Sequence, residues 1–345
     1  MTGSIAAFVS RHGAGVLLSA AVAVAAVLVE PLMKRLTGGF SLPAMVIALF
    51  IGIALNRLAA DPRFKEGITW CVKKLLRIAI GLLGLRIALG DILGLGLGTI
   101  ALVVASMAIT IVAAIWLARL FGQEAGYGAL AGAANAVCGA SATLATSTVV
   151  PNYRTKDADT AFTVVMANAV STVVMLAYPP LCVWLGLTAQ ETGVMLGATI
   201  HDMAQVVGAG YAVSEPVGNT AVVVKLFRVF LLLPVVLAIG WWFMRRGEQA
   251  GEAKVPPPVF AIVFLVLALA NTAAMALPSL APAYLPVKAA LGEASRWGLL
   301  LAIAALGIGT SPTAILAVGW RHAAVFMGAT VVILAIPAVG ILLLR

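Results

Sequence analysis

Long apolar runs separated by short polar joints dominate this chain, and their lengths decide what class of protein it is. Mainly apolar stretches fall at 14–33, 41–57, 69–92, 97–120, 126–150, 157–186, 190–213, 218–244, 257–277, 294–312 and 317–344. Most reach the roughly 20 residues a helix needs to cross a bilayer core about 30 Å thick. The predicted fold is an all-α polytopic membrane protein with about 10–11 transmembrane helices. The run after Arg11 is long enough to span and no small-residue cleavage site clearly follows it, so it reads as a first membrane helix rather than a removed signal. The longest polar joint, 245–258, carries Glu, Lys and a run of prolines and reads as a surface loop.

Composition removes the soluble alternative. Of 345 residues, 62% are hydrophobic and 10% charged, and the mean hydropathy is +1.09. That leaves too little polar side chain to cover a water-facing surface. The formal charge of +9 does not point to nucleic acid, because Lys and Arg sit at segment ends and build no long basic, aromatic-laced surface. They set topology instead. Joints on the N-terminal side hold Arg57, Arg63, Lys65, Lys73, Lys74, Arg119, Arg245, Arg246, Lys254 and Arg321, an excess that places the N-terminus inside. Cys71, Cys138 and Cys182 are odd in number and lack any CxxC or histidine spacing, so they define neither a disulfide framework nor a zinc site. No metal or cofactor is expected.

Three runs are irregular where a plain anchor would be uniformly apolar: 126–150, 190–213 and 294–312. The first holds Gly132-Ala-Ala-Asn-Ala-Val-Cys-Gly-Ala-Ser-Ala142, in which small residues permit close helix approach and a backbone break at Gly139. Asn135, Cys138 and Ser141 follow at spacing three, which on a continuous helix is one face. A break here would leave backbone N–H groups free and direct a positive helix end at an anion. The bland alternative is a small-residue packing seam.

The second run holds Thr199-Ile-His-Asp-Met-Ala-Gln-Val-Val-Gly-Ala-Gly210, the most polar stretch inside an apolar span. Ionisable groups are expensive in a membrane and mark function by default. On a helix His201 and Gln205 share a face while Asp202 points elsewhere. His201 and Asp202 are the candidates for proton or ion coupling. Asp202 is also well suited to cap a helix over 203–213. Lys225 and Arg228 lie inside the span 218–244, where their charge suits an anionic substrate or a structural partner. In the third run, Gly307-Ile-Gly-Thr-Ser-Pro312 reads as a helix interruption with a new N-terminus at Thr310 and Ser311. Pro179-Pro180 is expected to kink or end its span.

Phosphate-loop and HExxH signatures are absent from the sequence, which argues against ATP-driven transport and against an enzyme. Gln123-Glu-Ala-Gly126 and Gln190-Glu-Thr-Gly193 open two polar segments, and residues 80–93 resemble 304–316. Paired irregular segments are the pattern of a transporter built from repeats. These two matches imply different pairings, so the residues alone leave the repeat boundary open.

Taken in order, Gly84-Leu-Arg86, Asn135-Ala-Val-Cys-Gly-Ala-Ser141, Ile200-His-Asp-Met-Ala-Gln-Val-Val-Gly-Ala-Gly210, Lys225-Leu-Phe-Arg228 and Ala305-Leu-Gly-Ile-Gly309 resemble a bacterial family of inner-membrane proteins named for sulfate export. That family is similar to the large group of bile-acid symporters and sodium/proton antiporters. The resemblance implies inverted five-helix repeats and two crossed, discontinuous helices, with breaks at Cys138-Gly139 and at Gly307–Pro312. It divides one transmembrane domain, 1–345, into a peripheral first helix (1–36) and two repeat halves (37–187 and 188–345). The paired acidic residues typical of proton antiporters are missing: Asn135 stands alone, and the best carboxylate is Asp202.

The expected function is a secondary active transporter in the bacterial inner membrane, moving a small inorganic or organic anion such as sulfate or sulfite with H⁺ or Na⁺. The expected contacts are Asn135, Cys138, Gly139, Ser141, His201, Gln205, Lys225, Arg228, Thr310 and Ser311, with His201 and Asp202 coupling the ion. The alternative is a cation/proton antiporter centred on Asp202, and a minor one a membrane enzyme or sensor. The lipid bilayer is the expected surrounding, nucleic acid is not expected as a partner, and a homodimer is left open.

Overall fold

The computed structural model of the chain describes residues 2–36, 44–87, 90, 94–247, 259–277, 281–309 and 319–343. Among them no strand occurs, and helices follow one another with short joints. Among the described residues seven helices are long and apolar enough to cross a membrane: Ser10–Met33, Gly96–Leu120, Lys156–Trp184, Glu215–Arg245, Val259–Ala276, Tyr284–Gly309 and Trp320–Leu343. Their outer faces carry large exposed apolar side chains, among them Leu97, Trp116, Val183 and Val331. Such faces are stable only against lipid. The protein is a multi-pass helical membrane protein.

The remaining expected spans are built from shorter pieces. The span predicted at 41–57 contains α2 (Ala44–Ala54), while α1 (Thr2–Leu36) holds the first crossing. The span predicted at 69–92 starts earlier, with α3 (Pro62–Trp70), because Asp61 accepts from Arg63 N–H at 2.9 Å and Pro62 opens the helix. An Asp-Pro start is a local cap signal that lies outside the apolar run. A π turn at Cys71–Leu75 joins α3 to α4 (Leu76–Leu83). The helix then tightens into a 3₁₀ turn at Gly84–Arg86.

Contacts divide the chain into two compact units: Met1–Gly94, Tyr211–Ser214 and Val259–Ser311 form one, and Leu95–Gly210, Glu215–Pro258 and Pro312–Arg345 the other. Each unit draws on both the first and the second half of the sequence. In the first unit α13 (Val259–Ala276) and α14 (Ala281–Gly309) pack with α1 to α4. Gly307 belongs to this packing. A Cβ there would stand 2.5 Å from Leu49 O, and one at the facing Gly52 would stand 2.7 Å from Ala304 O. Only glycine lets these backbones approach so closely. Gly307 therefore lies in a continuous helix, and Thr310, Ser311 and Pro312, the expected second break, lie outside the described residues.

In the second unit α5 (Gly96–Leu120) packs against α6 (Ala125–Ala136) and α15 (Trp320–Leu343). The next helix, α7 (Ala140–Ser147), continues α6 after a break, and α8 (Lys156–Trp184) packs against both. Pro179 and Pro180 do not end α8, which runs on to Trp184. Membrane helices tolerate interior prolines when neighbours absorb the freed backbone groups. Then come α9 (Ala189–Thr199), α10 (Met203–Val213), which belongs to this unit as far as Gly210, α11 (Glu215–Phe230) and α12 (Leu232–Arg245). Every residue from Gly126 to Asn135 and from Val194 to Thr199 is buried, so the two interrupted helices α6/α7 and α9/α10 form the centre of this unit.

Candidate functional site

Two helices of the second unit stop in its interior and restart a few residues later. After α6, Val137 turns away at φ −116°, ψ −86°, and Gly139 takes φ 58°, ψ −122° before α7 begins. A side chain strains that conformation, which is why the break falls at this glycine. After α9, Ile200 adopts an extended conformation at φ −68°, ψ 137°. Asp202 then caps α10, its Oδ1 accepting from Ala204 N–H at 2.8 Å. The two breaks approach each other: a Cβ on Gly139 would lie 3.7 Å from His201 O.

Each broken helix ends with backbone carbonyls that have no partner in its own helix. Lys225 and Arg228, both fully buried on α11, supply those partners. Lys225 Nζ donates to Val137 O at 2.6 Å, Ile200 O at 2.8 Å and His201 O at 2.6 Å. An ammonium has three donors, so all are spent. Arg228 donates through Nη2 to Asn135 O at 2.6 Å and through Nε to Ala136 O at 2.9 Å. Its Nη1 reaches Gly197 O at 2.9 Å and Ile200 O at 3.1 Å. The pair is a shared C-terminal cap for α6 and α9, with positive charge at two negative helix ends. The expectation that these cations face an anion is replaced by this arrangement: they hold the two breaks together.

Two face assignments change for the same reason. Asn135, Cys138 and Ser141 do not share a helical face, because the chain breaks between them: Asn135 is buried in α6, Cys138 is 8% exposed at the break, and Ser141 is exposed on α7. His201 and Gln205 likewise do not stand four apart on one helix, since His201 precedes the α10 cap. Both are nonetheless buried beside the break. The structure thus brings Asn135, Cys138, Gly139, His201, Asp202, Gln205, Lys225 and Arg228 into one region, while Thr310 and Ser311 lie outside the described residues.

A hydrogen-bond relay completes the site with residues that sequence reasoning missed. Thr330, on α15, contacts Asn135 Oδ1 at 2.8 Å, Phe326 O at 3.0 Å and His201 Nε2 at 3.3 Å. Ser171 Oγ, on α8, accepts from Asp202 N–H at 3.0 Å. A lone Thr or Ser in an apolar helix usually bonds its own backbone, so neither carried a signal. Among the described residues no group of three His, Cys, Asp or Glu could hold a metal, and all three cysteines are free and buried.

A separate polar cluster ties the starts of α8 and α15 to α6. His322 Nε2 and Asp159 Oδ1 are 3.1 Å apart, Thr155 donates to Asp159 Oδ2 at 3.1 Å, and Tyr127 OH donates to His322 O at 2.7 Å.

The sequence comparisons fit this architecture. Residues 14–341 match a family described as conserved hypothetical protein 698. A UPF0324 membrane protein named TauZ, from Paracoccus pantotrophus, is 42% identical over 321 residues, covering 92% of this chain and 93% of the relative. The chain belongs to the UPF0324 membrane protein family. Other UPF0324 relatives are a membrane protein of Chlorobaculum tepidum, 39% identical over 93% of this chain and 87% of its own length, and one of Rhizobium meliloti, 39% identical over 96% and 92%. No solved structure matches. These UPF0324 relatives align with nearly the whole chain, so both interrupted helices and the α11 cations lie within the shared region.

Proposed function

We propose that this UPF0324 protein is a secondary active transporter that carries a small oxyanion, of the sulfate or sulfite type, unchanged across the bacterial inner membrane, coupled to H⁺ or Na⁺. The observation that carries the reading is the meeting of two helix breaks in the interior of one unit. Interrupted helices of this kind set helix ends and unwound backbone where a substrate can be held midway across a bilayer. The charge arrangement favours an anion. The negative ends of α6 and α9 are capped by Lys225 and Arg228, and the positive end of α10 by Asp202. That leaves the start of α7, where Gly139 supplies no capping side chain to the N–H groups of Ala140 and Ser141, as the open positive end, with Ser141 exposed beside it. Such an end binds oxyanions through oriented N–H groups and the helix dipole. His201 and Asp202, adjoining residues at the second break, are the groups proposed to exchange the coupling ion.

The test is radiolabelled sulfate and sulfite flux into proteoliposomes under imposed proton and sodium gradients. Gradient-dependent uptake is expected; absence of flux under every gradient rejects the reading. A cation/proton antiporter centred on Asp202 is favoured by the partly buried carboxylate at a helix break. Sodium-driven proton movement that disappears in Asp202→Asn, with no anion flux, would select it.

A further inference from the structure

At the second break a helix-start signature is left incomplete. Gln205 stands three residues after the cap Asp202, the spacing at which a Gln side chain ordinarily bonds the cap residue's own backbone N–H. That N–H is already committed, donating to Ser171 Oγ at 3.0 Å. Gln205 is 1% exposed and its Oε1 has no hydrogen-bond partner.

Buried polar atoms in native proteins are nearly always paired. Here one acceptor, Gln205 Oε1, is orphaned beside a helix cap, because the N–H that would ordinarily satisfy it is engaged elsewhere.

We infer that this break receives a hydrogen-bond donor carried by the substrate, which makes the substrate class a small oxyanion with its own O–H or N–H group rather than a fully deprotonated one. The inference rests on the transporter reading and narrows it. Gln205 Oε1 accepts from the donor, while the oxyanion's charge faces the α7 start. A site that spends a buried acceptor on a substrate hydroxyl discriminates strongly against an analogue lacking it, because the acceptor is then left unpaired.

Phosphate and sulfate make the test, being tetrahedral oxyanions of similar size. At pH 7 phosphate keeps at least one O–H and sulfate has none. Uptake into proteoliposomes and equilibrium binding to the purified full-length protein are measured for each. Phosphate is expected to exceed sulfate by about ten-fold or more. Gln205→Met is expected to lower phosphate uptake about ten-fold while changing sulfate less than about two-fold, a split that a merely structural loss would not produce. Where Gln205→Met does not fold, the selectivity of the unmodified protein still decides. Equal handling of the two anions, or preference for sulfate, overturns the inference and leaves the transporter reading standing. Movement of no anion under any gradient overturns both.

Discussion

Lys225 and Arg228 illustrate how a charged side chain can be made tolerable inside a membrane protein without a carboxylate at every donor. Seven hydrogen bonds run from this pair to backbone carbonyls of two different helices. Lys225→Met strips three of them and leaves carbonyls at both breaks unpaired. It is expected to destabilise the protein by roughly 3 kcal/mol or more, read as a lower melting temperature in detergent. Arg228→Lys should also destabilise, because a point charge cannot reach Asn135, Ala136 and Gly197 together as the planar fork does. A substrate-only role for either cation predicts the opposite result, unchanged melting with altered transport. Thr330→Val tests the relay. Removing the hydroxyl strands Asn135 Oδ1 and His201 Nε2 and should cost about 1–3 kcal/mol, with a larger effect on anion uptake than substitution of the half-buried Thr172 on α8.

At the scale of elements, helix breaks and helix crossings use glycine for different reasons, and substitution separates them. Gly139 has room for a methyl group, the nearest atom to a Cβ being Ala167 Cβ at 3.6 Å, but its φ of +58° does not suit one. Gly139→Ala is therefore expected to cost about 1–3 kcal/mol through backbone strain and to disturb the α6/α7 break. Gly307 is the reverse. Its backbone is helical, and a Cβ would collide with Leu49 O at 2.5 Å. Gly307→Ala should separate α14 from α2 and lower the melting temperature by overpacking, and a compensating change at Gly52 cannot rescue it because that position is equally close. Thermal melting of the two variants, combined with transport, distinguishes them: a loss of transport beyond the loss of folded protein is expected for Gly139→Ala and not for Gly307→Ala.

For the whole molecule, the distribution of Lys and Arg predicts an inward N-terminus, which assigns a side to every joint. Asn152, between α7 and α8, then faces outward and Gly247, after α12, inward; both are exposed. Since the natural cysteines are buried, a membrane-impermeant thiol reagent applied to intact cells should label Asn152→Cys and spare Gly247→Cys. The reverse pattern would invert the topology. The same assignment sets the direction of the gradients in the flux measurements.

Much of this architecture was written along the chain. Apolar run length dictates membrane helices because each residue in a bilayer must individually tolerate hydrocarbon, and the joints around Gln123, Arg154, Thr188 and Arg246 fall where predicted. The break at Gly139 and the Asp202 cap were equally legible, since glycine strain and helix capping are local to a few residues. What the sequence could not decide was partnership. Lys225 and Val137 are 88 positions apart, and Thr330 and Asn135 are 195 apart. Nothing local states which distant acceptor a buried donor will find. The same sequence that announced two costly cations in a membrane was therefore compatible with an anion clamp and with a backbone cap. Only the packing of α11 against the ends of α6 and α9 chose the cap, because hydrogen-bond saturation is a property of three-dimensional neighbours.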